Sequence, residues 1–169
     1  MAKKITPAIK GFITGLLMVA VGLTLNFSKV EPTSPLQYIS YFIYGLGIVW
    51  TVQAFAKQTG GTAKFGEMFN QGFRCFVVVT LIMALYTFIF YKILYAQQPE
   101  LLEKSAIEYK NHLLKTEKSK TPVEIDEIVA NSKKYSLIFT VSVQIFFNLL
   151  IGAIVTAATA GALSLSKKN

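Results

Sequence analysis

The side chains best placed to do chemistry in this chain are amides and hydroxyls. Gln144, Asn148 and Thr156, with Gly152 and Ala160 completing the series, recur in steps of four through a stretch that carries no charge. That spacing puts them on one helix face. Such a face can hydrogen-bond a neighbouring helix or a polar lipid headgroup, and interhelical amide bonds of this kind contribute about 0.6–2 kcal/mol, enough to set register. The structural role ranks first and ligand binding second. Acid–base candidates are weaker. Glu67 and Arg74 read as an interfacial ion pair or as two solvated side chains. Cys75 follows Arg74, whose charge would favour a thiolate, yet a lone cysteine in an apolar run reads first as a small packing residue. His112 sits in a polar stretch with no His or Cys near it and reads as a solvated surface histidine. One Cys and one His exclude a disulfide framework and a Cys/His zinc cage. Motifs for metalloproteases, phosphate-binding loops and serine nucleophiles are missing. The expectation is a protein that is not an enzyme, with no catalytic residue, no cofactor and no metal.

The elements that carry these residues are set by lipid. Of the 169 residues, 53% are hydrophobic and only 15% charged, against about 25% charged in an ordinary soluble domain. Aromatic residues are abundant, with 13 Phe and 8 Tyr, which excludes a disordered chain. The net charge of +8 is not gathered into a patch, as nucleic-acid binding would require; the bases bracket apolar runs. Lys3, Lys4 and Lys10 precede Gly11–Ser28. Lys29 and Glu31 separate that run from one whose apolar part begins near Leu36 and ends at Ala56. Lys57, Lys64, Glu67 and Arg74 precede Cys75–Tyr91, and a mixed-charge stretch leads into Tyr135–Ser166, closed by Lys167 and Lys168. A helix needs about 20 mainly apolar residues to cross a bilayer core. The second and fourth runs meet that length, and the first and third meet it once Lys10, Arg74 or Lys92 reaches the headgroups.

The pattern predicts an all-α, integral membrane four-helix bundle, a single membrane domain with spans over about 7–27, 36–55, 72–95 and 136–165. Lys3, Lys4, Lys10, Lys57, Lys64, Arg74, Lys167 and Lys168 fall on one side of it with Glu67 as their single acid. By the short-loop Lys/Arg rule, both termini face the cytoplasm and residues 97–134 lie on the extracytoplasmic side. A cleaved signal peptide is the competing account of the N-terminus, with small residues at Ala20–Gly22. The apolar run continues to Phe27, and cleavage would misplace the next basic loop, so an uncleaved first helix is expected.

Along the chain, Gly11 and Gly15 form a GxxxG pair and Gly152 interrupts the last span, all three suited to close helix packing. Pro32–Pro35 reads as a tight outer turn. Tyr38, Tyr41 and Tyr44 suit the outer headgroup layer, with Trp50 at the opposite interface. Gln58–Thr62 breaks the chain, Thr62 can cap the next helix, and Phe65, Phe69, Phe73 and Phe76 then recur at helical spacing. Residues 63–76 form an amphipathic cytoplasmic segment, whose Phe65, Phe69, Phe73 and Arg74 are the candidate partner-docking residues; the plainer reading is the solvated start of helix three. Pro99 opens a polar helix, and Thr121-Pro122-Val123-Glu124 is a helix start with proline first and glutamate third. Residues 97–134 therefore read as an extracytoplasmic helical hairpin between helices three and four. Tyr135–Ser166 makes about 48 Å of helix, more than a bilayer needs, so it must tilt, project or stop early.

None of the four charge-free runs holds an ionisable Asp, Glu, His, Lys or Arg, the residues that ion-coupled carriers keep at membrane depth. An accessory or scaffold subunit of a membrane complex is the leading reading. A small carrier or lipid-handling protein using the Gln144/Asn148/Thr156 face is the alternative. The stretch Gly60-Gly61-Thr62-Ala63-Lys64-Phe65-Gly66-Glu67-Met68-Phe69-Asn70-Gln71-Gly72-Phe73, with the plan of spans around it, resembles the Bacteroidetes inner-membrane family known as domain of unknown function 4199. That resemblance carries over no catalytic or ligand residues. It implies a bacterial inner membrane, with residues 97–134 periplasmic, and a membrane-associated glycosyltransferase of polyprenyl-phosphate sugar synthesis as partner; membrane lipids as surroundings and no nucleic acid are what the charge pattern itself predicts.

Overall fold

A computed structural model of the chain describes residues 5–28, 34–95, 99–117 and 119–166. Lys3, Lys4, Lys29, Pro32, Lys167 and Lys168 lie outside the described residues, as does part of the turn expected at Pro32–Pro35. Helix α1 covers Pro7–Phe27, with the Thr6 side chain accepting the Ile9 N–H and a proline in the first turn, where a missing N–H costs nothing. A short 3-10 turn at Pro35–Gln37 leads into α2, Tyr38–Gln58. Gly60 (φ 57°) and Gly61 (φ 81°) then stop α2 in the left-handed region, and the Gly61 N–H closes onto the Ala56 carbonyl at 3.0 Å. Helix α3 runs Phe65–Ile89 and passes into a π-helical segment at Phe90–Tyr95; α4 covers Pro99–Thr116 and α5 Pro122–Leu165. No strand occurs among the described residues.

Among the described residues, four stretches are long and apolar enough to cross a bilayer: Pro7–Phe27, Tyr38–Gln58, Phe65–Ile93 and Leu137–Leu165. Helix three starts at Phe65, so the segment 63–76 is not a separate element; from Phe65 onward it is the first turns of α3. Thr62 does not cap that helix. Its hydroxyl donates to the Thr59 carbonyl at 2.7 Å, and the Lys64 N–H instead donates to the Glu67 carboxylate at 2.8 Å. The reason is the length of the glycine turn, which spends Thr62 on ending α2 before α3 can begin.

The chain divides into two compact units, one comprising residues up to Ala84 and from Ile145 onward, the other Leu85–Gln144. In the first, α1 and α5 turn mainly small and polar residues inward. Helix α1 buries Lys10, Gly11, Thr14, Gly15 and Met18, while Phe12, Leu16 and Leu17 are exposed. Helix α5 likewise buries Asn148, Gly152, Thr156 and Ala160 and exposes Phe146, Phe147, Leu150 and Ile154. Small and hydroxyl-bearing residues inside, large apolar ones outside, is the arrangement a bilayer favours, because lipid solvates Phe and Leu as well as a core would. Thr14 fills the space a side chain at Gly47 would need, and Ile82 does the same for Gly15.

The second unit holds the hairpin. Lys110 of α4 pairs with Asp126 of α5 at 2.5 Å, and Leu113 and Ile125 are buried beside them. That ion pair joins residues on either side of the connection and folds the start of α5 back against α4. Helix α5 begins with a reciprocal cap. The Thr121 N–H donates to the Glu124 carboxylate at 2.7 Å, and the Glu124 N–H donates to the Thr121 hydroxyl at 3.3 Å. From there α5 continues unbroken for 44 residues, about 66 Å, so the second arm of the hairpin and the last span are one helix.

Candidate functional site

The buried polar groups of the first unit gather on facing sides of α2, α3 and α5. Tyr44 is completely buried, and its hydroxyl donates to the Asn148 backbone carbonyl at 2.7 Å. The Asn148 side chain is buried too, and its Nδ2 has no hydrogen-bond partner. Thr156 packs against Gly72. Unlike Thr14, Thr51 and Thr159, which donate to the carbonyl four residues back at 2.8–2.9 Å, Thr156 leaves its Oγ1 without a partner. Gly152 lies between these two polar residues; a Cβ there would come within 2.5 Å of the Tyr44 hydroxyl and 2.6 Å of the Phe76 ring. Gln144 takes part elsewhere. It belongs to the Leu85–Gln144 unit, where its Oε1 accepts a hydrogen bond from the Thr87 hydroxyl.

One level along from Tyr44, the Cys75 thiol lies 3.3 Å from the Thr51 hydroxyl and 3.9 Å from the Gly47 carbonyl, with no exposed surface. Gly11 sits on the Cys75 backbone, where a Cβ would stand 2.5 Å from its carbonyl oxygen. Cys75 thus fills a joint between α1, α2 and α3. Lys10 is only 5% exposed, and its ammonium lies 5.0 Å from the centroid of the Trp50 ring, a cation–π contact. At the start of α3, Phe65 and Phe73 are exposed, Phe69 is half-buried, and Phe76 is buried. Phe65 stacks on Phe69 at 6.0 Å, and Phe73 meets Phe76 edge-on at 5.2 Å. Arg74 is exposed beside them. The Glu67 carboxylate serves the Lys64 N–H, and no ion pair joins it to Arg74 among the described residues. His112 is exposed on α4.

The inward roles of Tyr44, Thr51 and Lys10 are not those their spacing suggests. The spacing of Tyr38, Tyr41 and Tyr44 predicts a headgroup-facing stripe, yet only the first two are exposed. At 100° per residue Tyr44 lies 240° round the helix from Tyr38. The signal was there in the periodic set Tyr44, Gly47, Ile48, Thr51 and Val52, all of them buried. Lys10, expected to snorkel, lies instead under Trp50. No group of three His, Cys, Asp or Glu that could hold a metal ion occurs among the described residues.

A family model described as "Protein of unknown function (DUF4199)" matches residues 10–164. No curated protein and no solved structure matches the chain.

Proposed function

This chain belongs to the DUF4199 family, proteins of unknown function, and we propose that it serves as a non-catalytic accessory or scaffold subunit of a bacterial inner-membrane complex. The observation that carries this reading is how tightly the polar interior is closed. Cβ positions at Gly11, Gly72 and Gly152 are already occupied by Cys75, Thr156, and Tyr44 with Phe76. Helices interlocked through glycine suit a static framework better than a protein that must open around a cargo. The short-loop basic residues support cytoplasmic termini and a periplasmic 97–134. Partner contact falls to the exposed start of α3, where Phe65, Phe73 and Arg74 combine apolar area with a fixed cation. A membrane-associated glycosyltransferase of polyprenyl-phosphate sugar synthesis is the partner that the family resemblance favours.

Affinity purification from native membranes in mild detergent tests this. A fixed membrane partner should co-purify with the wild type, and Phe65→Glu or Phe73→Glu, both at exposed positions, should lower its yield at least several-fold. Absence of any reproducible partner would remove the scaffold reading. The second reading, a small carrier or lipid-handling protein, draws on the unpaired Asn148 amide and Thr156 hydroxyl. It requires substrate flux in proteoliposomes made from this protein alone.

A further inference from the structure

One face of α2 changes character along its length. Phe42, Leu46 and Trp50 follow at steps of four and are 67%, 53% and 43% exposed; Gln53 and Lys57 continue the same face and are exposed as well. The stripe covers about 22 Å at 1.5 Å per residue, apolar at one end, aromatic in the middle, amide and ammonium at the other. Lys10 reaches it from α1 beneath the Trp50 ring. Beyond Trp50, Gln53 and Lys57 line an open groove together with Gly61 of the turn, Leu163 of α5 and Ser166 just after it.

The charges here are unbalanced. Among the described residues the ion pairs are Lys110–Asp126 and Lys120–Glu117, so no carboxylate neutralises Lys10 or Lys57. Glu67, the acid nearest Lys57 in sequence, gives its carboxylate to a backbone amide. A nearly buried ammonium demands a counter-charge, and the aromatic face of Trp50 supplies only part of one. In a bilayer the abundant anion at this depth is the lipid phosphate, which basic side chains near the membrane surface attract.

We propose that Lys10, Trp50, Gln53 and Lys57 form a binding site for the phosphate of an anionic phospholipid in the leaflet at the Gly60–Gly61 end of the bundle. The two ammonium groups hold the phosphodiester, which takes the place of the Trp50 ring face as the partner of Lys10. The Gln53 amide hydrogen-bonds the headgroup hydroxyls, and an acyl chain lies along Leu46 and Phe42. The stripe has the polarity order of the lipid itself, and neither end of the membrane need be assigned to a compartment for the match to hold.

Native mass spectrometry of the full chain in detergent tests the assignment, with phosphatidylglycerol, phosphatidylcholine and inorganic phosphate added separately. The wild type should retain phosphatidylglycerol in preference to phosphatidylcholine. The double variant Lys10→Met/Lys57→Gln should retain about tenfold less, the loss expected for charge-assisted contacts, and Lys10→Arg should retain it as the wild type does. Equal retention of the two lipids by the wild type, or undiminished phosphatidylglycerol retention by the double variant, would overturn the site. Inorganic phosphate held as well as phosphatidylglycerol would replace the lipid by a free anion and overturn it too. Should Lys10→Met fail to give the wild-type circular dichroism spectrum, Lys57→Gln and Gln53→Leu, at exposed positions, carry the same test: unchanged retention in both refutes the proposal.

Discussion

At Gly152 a single hydrogen atom decides whether α5 can approach α2 and α3. A methyl group there would press on the Tyr44 hydroxyl and the Phe76 ring at 2.5–2.6 Å, and neither can retreat, because both side chains are buried. Gly152→Ala should therefore destabilise the protein by about 1–3 kcal/mol, the usual cost of overpacking, read as a lowered unfolding midpoint in detergent. Gly161→Ala, where a Cβ meets nothing within 4 Å, should be neutral or slightly stabilising on the same measurement. A second pair of variants separates a used polar group from an unused one. Tyr44→Phe removes the 2.7 Å bond to the Asn148 carbonyl and should cost about 0.5–1.5 kcal/mol. Asn148→Leu replaces an amide whose Nδ2 has no partner by an apolar group of similar size and should cost less than Tyr44→Phe. A larger loss for Asn148→Leu would mean that the amide is bonded in the membrane.

Among the elements, α5 depends on its cap. Its first turn is exposed, and the Thr121–Glu124 box is what satisfies the amide groups there. Hydrogen bonds from the Thr121 N–H, and then from its hydroxyl, hold the Glu124 carboxyl below the usual carboxylate range. Because the folded value is the lower one, the cap's contribution is complete above the unfolded carboxyl value. It disappears as pH falls through the folded value, where the carboxylate takes up a proton and stops accepting. Exchange of the Thr121 amide, corrected for its intrinsic pH dependence, should lose protection as the solution is acidified below the ordinary carboxylate range. In Glu124→Ala the protection should be low already at neutral pH and should not respond to acid. At α3 the element boundary was misjudged for a physical reason. The aromatic periodicity of Phe65–Phe76 was legible, but whether it lay along the membrane surface or simply began the span depends on where the glycine turn releases the chain. No local pattern contains that.

For the molecule as a whole, the question is which ends share a compartment. If the basic loops mark one side, cysteines introduced at Thr62 and Lys115 in a Cys75→Ala background should be labelled from opposite sides of a sealed membrane. Labelling of both by one impermeant reagent would remove the inferred orientation. The outward-facing apolar side chains make a companion case for lipid. Phe139, Phe146, Phe147 and Ile154 of α5 are exposed, a surface that in water would bind other copies and in a bilayer needs no cover.

What the amino-acid order decided unaided was the number and approximate place of the spans. Avoiding charge over about 20 successive residues is a condition each segment meets by itself, visible without knowing its neighbours. The same holds for the Thr121–Glu124 cap, since its partners are three residues apart. Tertiary structure alone decided that Tyr44 turns inward to Asn148, that Lys10 lies beneath Trp50, and that Gln144 accepts a hydrogen bond from Thr87. Those pairings depend on how far each helix is rotated about its axis and slid against the next. A composition that lipid accepts leaves both free, and only the fit of glycine against side chain fixes them.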